Sequence, residues 1–360
     1  MRKRSLQTTQ KQVRGLMCAS TFAASIFISL AAHAQTWPWP WSSNSSNAEF
    51  TSRTKLPNLN GDSKEVTISG ISAGAYMAIQ MHIAFSSTIS GVGSIAGGPW
   101  NCSGGDLSQA QNFCMANPSK IRVASIIQQL KKAEANNEID ALSNLVSARV
   151  YLYNSLTDTV VREPMNAKTK EFYSNFVPAP QIQTEQTIPS AHGMPTLAFG
   201  NRCGDKSKPY MNNCGFDAAG EVLKSVYGND ASALKRVAAV RSSLKTFIQT
   251  EFADAGVQLA PAGWIYVPRA CSKGGCPVHV AFHGCLQSAE HVQATFVTHA
   301  GYNEWAEGSG LIIIYPQART SYMNPNGCFD WWGYTGQDYA NRKGPQMKAV
   351  KAMIDRVLGF

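Results

Sequence analysis

The sequence predicts an α/β fold, and three features point to it. A β-branched run at residues 65–69 reads as a buried strand and passes at once into residues 75–82, which read as a buried helix. Further strand-like runs at 91–98, 149–154, 263–268, 277–282 and 310–316 alternate with helix-like stretches at 120–135, 138–147 and about 289–307. The 360 residues are ample for a sizeable core.

Residues 1–34 have the build of an export signal. Arg2, Lys3, Arg4, Lys11 and Arg14 precede an apolar run from Leu16 to Ala32, and Ala32-His33-Ala34 supplies small residues for cleavage before Gln35. An uncleaved membrane anchor is the competing reading. Removing this segment, which carries five basic and no acidic residues, takes the formal charge from +9 to +4. No Lys/Arg stripe remains, so nucleic-acid binding is not expected. No other apolar run is long enough to span a membrane. The expected destination is outside the cell or the periplasm. Residues 35–50 hold Trp37-Pro38-Trp39-Pro40-Trp41 and a Ser/Asn run, and read as a loosely packed tail. Residues 51–360 are expected to form one catalytic domain.

The strand at 65–69 runs into Gly70-Ile71-Ser72-Ala73-Gly74. Strand, Gly-x-Ser-x-Gly, helix is the nucleophile elbow of α/β hydrolases. The turn holds the serine in a strained conformation, and the glycines avoid collisions with neighbouring backbone. The N-terminus of the following helix favours negative charge and can help hold an oxyanion. The plainer alternative is a Gly-rich turn with an incidental serine.

An acid after a later core strand, and then a histidine, should follow in the order this fold uses. The strand at 149–154 leads to Asp158, and Ile188-Pro189-Ser190-Ala191-His192-Gly193 places His192 in a loop. Asp106 and Asp140 compete for the acidic role, but neither directly follows a β-rich run. Asp158 could also be a simple turn former. His82, ten residues after Ser72 within a helix, reads as structural.

In the second half, the strand at 277–282 enters His283-Gly284-Cys285 and then a helix. Strand, His-Gly, helix supplies the second oxyanion donor in this fold, and it ordinarily precedes the nucleophile. Here it follows by about two hundred residues. A circular permutation accounts for that order, because a domain with adjacent termini tolerates one. Strands of a separate second domain are the alternative.

Nine cysteines less Cys18 of the leader leave eight. In an exported chain they suggest disulfides. The local pairs are Cys102–Cys114, Cys203–Cys214, Cys271–Cys276 and Cys285–Cys328, among about a hundred connectivities open to eight cysteines. No Cys-x-x-Cys pair occurs, and no metal site is expected. No phosphate-cradling loop or dinucleotide fingerprint occurs either, and no cofactor is expected.

The ordered set of Gly70-Ile71-Ser72-Ala73-Gly74, Asn154-Ser155-Leu156-Thr157-Asp158, Ala191-His192-Gly193, Phe282-His283-Gly284-Cys285 and Gly327-Cys328-Phe329-Asp330-Trp331-Trp332 spans nearly the whole mature chain. It resembles the catalytic domain of extracellular poly(3-hydroxybutyrate) depolymerases, of the type whose oxyanion segment lies C-terminal to the nucleophile. The resemblance implies a single-domain, circularly permuted α/β-hydrolase fold, with Ser72 as nucleophile, His192 as base and Asp158 as its orienter. It also implies the backbone N–H groups of Ala73 and Cys285 as the oxyanion hole, and an aromatic substrate crevice near Trp331-Trp332. Many secreted members carry a linker and a polymer-binding domain after the catalytic one; none is expected after Phe360.

A small aliphatic polyester or its oligomers calls for an apolar crevice, and Trp331, Trp332 and Tyr76 are its expected lining, with Phe329 and Tyr334 nearby. Core packing is the alternative for these rings, and Trp100 and the tryptophans at 37–41 could supply adhesion to a polymer or membrane surface. A general secreted carboxylesterase for short-chain or feruloyl esters would use the same triad. A catalytically silent polymer-binding protein would need none of it.

Overall fold

A computed structural model describes residues 50–360. The expected leader and most of the Trp/Pro tail lie outside the described residues. Phe50, the last residue of that tail, stacks on Trp264 with ring centroids 5.2 Å apart.

Eight strands form the main sheet: β1 (Val66–Ile71), β2 (Ile89–Ile95), β3 (Arg149–Tyr153), β4 (Ile182–Glu185), and β8 to β11 (Leu244–Ile248, Ala262–Tyr266, Val278–Phe282 and Ile312–Tyr315). The other three, β5 (Met194–Thr196), β6 (Asn201–Arg202) and β7 (Met211–Asn213), form a small separate sheet in the order β5-β7-β6. The main sheet runs β4-β3-β2-β1-β10-β11-β9-β8. The six strands from β4 to β11 in this order are mutually parallel, and β9 is antiparallel to both its neighbours.

This order is the permutation read in the sequence. From β1 the chain works outward to β4 on one side. It then crosses to the far edge for β8 and β9, skips one place to set β10 against the free side of β1, and fills the gap between β10 and β9 with β11. If the chain began at β8, the run β8-β9-β10-β11 would come first and β1 would follow it. The fold is thus an α/β hydrolase whose opening strands have been moved behind the nucleophile strand.

Both faces of the sheet are buried, as expected of a parallel sheet. Period-two alternation divides the side chains between two cores. Val150, Leu152, Val280, Ile312 and Ile314 face one core, completed by the helices Ala73–Ala84, Val123–Ala135, Pro164–Tyr173 and Pro345–Leu358. Tyr151, Tyr153, Ala281, Ile313 and Tyr315 face the other, covered by the helix Ala218–Tyr227 and the segment around Phe296, Tyr302 and Trp305. Helix Ala73–Ala84 is buried along its whole length, which is why its sequence is apolar on every side.

Two helical readings need correction. The expected helix at 289–307 is three short helices, Ala289–Val292, Thr295–His299 and Tyr302–Ser309. Gln293 at φ 53° and Gly301 at φ 103° break it, since neither conformation continues a right-handed helix. The stretch at 138–147 is helical only as a 3₁₀ segment over Leu142–Ser147; Asn137, at φ 55°, ends the preceding helix.

All four disulfides join the expected partners: Cys102–Cys114, Cys203–Cys214, Cys271–Cys276 and Cys285–Cys328. Among the described residues no helix is long and apolar enough to cross a membrane.

Candidate active site

β1 ends in the tight turn its glycines require. Ser72 has φ 55° and ψ −124°, a conformation that costs a non-glycine residue energy and persists only where the surroundings impose it. The surroundings are tight: a Cβ on Gly70 would lie 2.2 Å from the Gly74 carbonyl oxygen, and one on Gly74 would lie 2.4 Å from that of His283. The strand-to-helix turn thus lifts the Ser72 side chain to the end of the sheet while its backbone N–H donates to the Ile95 carbonyl at 2.9 Å.

His192 comes to Ser72 from the small sheet. The Ala191 N–H donates to the Cys203 carbonyl at 2.8 Å, the Asn212 amide donates to the Ala191 carbonyl at 3.0 Å, and Cys203–Cys214 closes the loop behind them. The imidazole Nε2 is 2.9 Å from Ser72 Oγ, and Nδ1 is 2.7 Å from Asp158 Oδ2. Asp158 stands in the turn beyond β3, its side chain only 3% exposed. Its other oxygen accepts the N–H groups of Val160 and Val161 at 2.8 and 3.1 Å. The loops carrying acid and base are stapled together: Thr157 Oγ1 donates to the Ser190 carbonyl at 3.0 Å, and the Tyr153 hydroxyl meets Ser190 Oγ at 2.6 Å. The competing carboxylates are elsewhere. Asp106 caps a helical turn through Gln109, and Asp140 pairs with Arg342.

The His283-Gly284-Cys285 turn leaves β10 beside the elbow, because β10 pairs with β1 in the register Gly70↔Phe282. A Cβ on Gly284 would lie 3.3 Å from the Ser72 Cβ. Neither the Ala73 nor the Cys285 N–H donates to a protein acceptor among the described residues. The arrangement can therefore deprotonate a serine, orient the base that does so, and offer two free amide donors beside it.

The aromatic residues divide. Tyr76 and Trp331 stack at 4.2 Å within the core, and the Tyr76 hydroxyl donates to the Cys114 carbonyl at 2.8 Å. Burial, aided by the Asp158 charge, pushes the Tyr76 phenol far above its ordinary value. Trp332 is partly exposed and leans on Tyr334 at 4.8 Å, so of the three expected lining rings it alone presents an accessible face. Phe329 is fully buried, and Trp100 is buried with its indole N–H on the Ala340 carbonyl, which removes Trp100 from the surface-adhesion reading; Trp37, Trp39 and Trp41 lie outside the described residues. His82 is buried against the Tyr173 hydroxyl at 3.0 Å, as expected of a structural histidine.

Sequence reasoning missed Asp330. One carboxylate oxygen accepts the N–H groups of Trp332, Gly333 and Tyr334, and the other accepts the Thr335 N–H and hydroxyl. Burial raises this carboxyl above its ordinary value, and the hydrogen bonds from Thr335, Gly333 and Tyr334 offset only part of that rise. The signal was an acid directly before two tryptophans and a glycine, a turn whose free N–H groups need an acceptor. Among the described residues no cluster of three or more His, Cys, Asp or Glu could hold a metal ion.

No family model matches the chain. It is 38% identical to poly(3-hydroxybutyrate) depolymerase of Delftia acidovorans over 306 residues, 84% of this chain and 61% of that protein. It is 32% identical to polyhydroxybutyrate depolymerase of Talaromyces funiculosus over 327 residues, 85% of this chain and 94% of that protein. The chain thus spans about three fifths of the Delftia protein and nearly all of the Talaromyces one. Among solved structures, PHB depolymerase from Penicillium funiculosum matches with a TM-score of 0.78 at 31% identity, covering 85% of this chain and 99% of that one. A serine-to-alanine PHB depolymerase complexed with an R3HB trimer matches equally well.

Proposed function

The chain belongs to the poly(3-hydroxybutyrate) depolymerase family, and on that premise we propose that it is an exported serine esterase that hydrolyses poly(3-hydroxybutyrate) or its oligomers through Ser72, His192 and Asp158. The observation that carries the reading is the continuous hydrogen-bonded line Ser72–His192–Asp158, at 2.9 and 2.7 Å, ending at a serine held at positive φ.

In the proposed reaction His192 Nε2 takes the Ser72 proton as Oγ attacks the ester carbonyl. The tetrahedral oxyanion is held by the Ala73 and Cys285 N–H groups, each donor being worth about 2.7–4 kcal/mol by analogy with a well-studied protease. Asp158 keeps the imidazole in the tautomer with Nδ1 protonated and stabilises the imidazolium. The imidazolium gives its proton to the leaving alkoxide, which departs as the hydroxyl end of the polymer and leaves an acyl-Ser72 ester. Water, deprotonated by the same histidine, then releases the hydroxy acid.

Trp332, turned outward by the Asp330 carboxylate, is the proposed apolar contact for the aliphatic repeat. The complex of the structurally similar serine-to-alanine enzyme with an R3HB trimer supports a short oligomer as an acceptable substrate. Four disulfides and the export-type leader in the sequence support a location outside the cytoplasm.

The test is product analysis by mass spectrometry after incubating the mature enzyme with amorphous poly(3-hydroxybutyrate), with Ser72→Ala as control. The expected result is serine-dependent release of 3-hydroxybutyrate or its short oligomers. Cleavage of short soluble esters without release from the polymer would move the function to general ester hydrolysis.

A further inference from the structure

His283 touches neither the Ser72 nor the His192 side chain, yet it is fully buried at the root of the oxyanion turn. Its ring makes two hydrogen bonds, both to backbone. Nε2 accepts the Ala318 N–H at 3.2 Å, and Nδ1 lies 2.7 Å from the Gly284 carbonyl oxygen. An amide N–H can only donate, so Nε2 carries no proton. The single proton of the neutral ring is then on Nδ1, where it donates to Gly284. Burial pushes the histidine down to about 4, which keeps the ring neutral in ordinary buffers.

The Gly284 carbonyl belongs to the same planar peptide as the Cys285 N–H, and in a trans peptide the two point in opposite directions. A grip on the oxygen therefore sets the direction of the N–H. We propose that His283 is a positioning residue for ester hydrolysis, holding the Gly284–Cys285 peptide so that the Cys285 N–H is aimed at the developing oxyanion on the Ser72 adduct. The inference rests on the reading of Ser72 as nucleophile and of the Cys285 amide as oxyanion donor.

Further contacts stiffen the device. The Gly284 N–H donates to Gln287 Oε1 at 2.8 Å, and Gln287 Nε2 donates to the Tyr210 carbonyl at 2.9 Å. Cys285 is tied to Cys328. Phe329 packs on the His283 ring at 4.7 Å, with Phe296 edge-on at 6.2 Å, so the imidazole has no room to turn. The peptide is clamped on both sides before substrate arrives, and so costs no reorganisation in the transition state.

Two measurements test this. In the wild-type enzyme labelled with ¹⁵N-histidine, the ring nitrogen shifts of His283 should report the tautomer with Nδ1 protonated. The opposite tautomer would overturn the proposal without any substitution. The second measurement is kinetics on p-nitrophenyl butyrate for His283→Gln, His283→Asn and Ser72→Ala. Glutamine can replace the Nε2 acceptor but not the Nδ1 donor, so kcat should fall about 10- to 100-fold with KM changed less than about threefold. Asparagine places an N–H where Nδ1 was and should recover most of that loss. Labelling by a fluorophosphonate should slow in proportion to kcat. Equal losses in both variants, or kcat simply following thermal stability, would mark His283 as structural only. Inactive Ser72→Ala alongside fully active His283→Gln would remove the proposal and leave the nucleophile standing. Turnover by Ser72→Ala would remove both. Should His283→Gln not fold, the wild-type tautomer alone decides.

Discussion

Strand β1 and the turn that ends it carry two serine–histidine pairs three residues apart, and only one has the makings of a nucleophile. Ser72 meets His192 at 2.9 Å at the tip of the sheet. Ser69 meets His279 at 2.7 Å in its interior, a shorter contact. The difference lies in everything around the pair. The far nitrogen of His192 is on a carboxylate, whereas that of His279 is on the Thr67 hydroxyl at 2.8 Å. Ser69 sits in a regular strand, fully buried and also bonded to the Tyr302 hydroxyl at 2.7 Å; Ser72 is forced out at positive φ and is partly exposed. Burial pushes His279 down to about 3, so it is a poor base at any ordinary pH. A serine–histidine hydrogen bond is therefore not the mark of a nucleophile. The carboxylate, the strained turn and the unoccupied amide donors are.

The sharpest way to break this comparison is to remove each serine. Ser72→Ala should lower kcat by about 10⁵- to 10⁶-fold, the scale seen when a triad serine is lost elsewhere. Ser69→Ala should leave fluorophosphonate labelling of Ser72 intact while lowering unfolding free energy by about 1–3 kcal/mol, because His279 and Tyr302 lose a buried partner. Labelling lost in Ser69→Ala at full stability would mean the inner pair takes part in the chemistry.

Next in size is the partner of each histidine. Asp158→Asn should cost about 10⁴-fold in kcat through the wrong tautomer of His192. Thr67→Val should show up in a urea midpoint and leave kcat within about threefold, a loss of about 1–3 kcal/mol reflecting an unpaired buried ring nitrogen. A fall in kcat below about tenfold for Asp158→Asn would end its assignment as orienter.

The outer pair also depends on a tether that the inner pair does not need. In the proposed mechanism Cys285 donates through its backbone, so the double variant Cys285→Ala/Cys328→Ala keeps the amide and loses only the bond to the segment around Phe329 and Trp331. We expect kcat to drop by about tenfold at temperatures well below the unfolding midpoint. Unchanged kcat would show that the clamp on Gly284 suffices alone.

A separate effect, on acid stability, comes from the buried histidines. Burial lowers His82 and His279 to about 3 and His283 to about 4, against about 6.5 in the unfolded chain. Between these limits the unfolded state binds more protons, so stability falls as pH drops below about 6.5 and stops falling below the folded-state values. Each histidine contributes a slope of at most about 1.4 kcal/mol per pH unit. Urea midpoints from pH 7 to 5 should decline, and His279→Gln should flatten that decline. A pH-independent midpoint over this range would contradict the buried neutral state.

Much of this was legible in the chain because the signals are local. The elbow is written in Gly70, Ser72 and Gly74 because close backbone approach admits only glycine at both flanks. Asp158 and His192 were reachable through the order in which this fold presents its groups. The cysteine partners are neighbours along the chain, 5 to 12 residues apart in three pairs and 43 apart for Cys285 and Cys328. What escaped was cooperative. The break at Gln293 comes from a polar residue in the left-handed region, which no periodicity announces. The five bonds on Asp330 and the grip of His283 on Gly284 depend on turns packed against one another. The separation of Trp331 from Trp332 is a matter of which ring faces Tyr76, and identical neighbours carry no such mark.

The permuted strand order has a consequence in time. β1 lies between β2, which follows it directly, and β10, which is made about two hundred residues later. At about 5–20 residues per second, synthesis leaves Ser72 without its proposed second oxyanion donor for roughly ten to forty seconds. The long loop between these strands also makes their pairing a late and slow event in folding. On the proposed mechanism, a nascent or half-folded chain thus carries its nucleophile uncocked, and hydrolytic power arrives only as the last strands close the sheet.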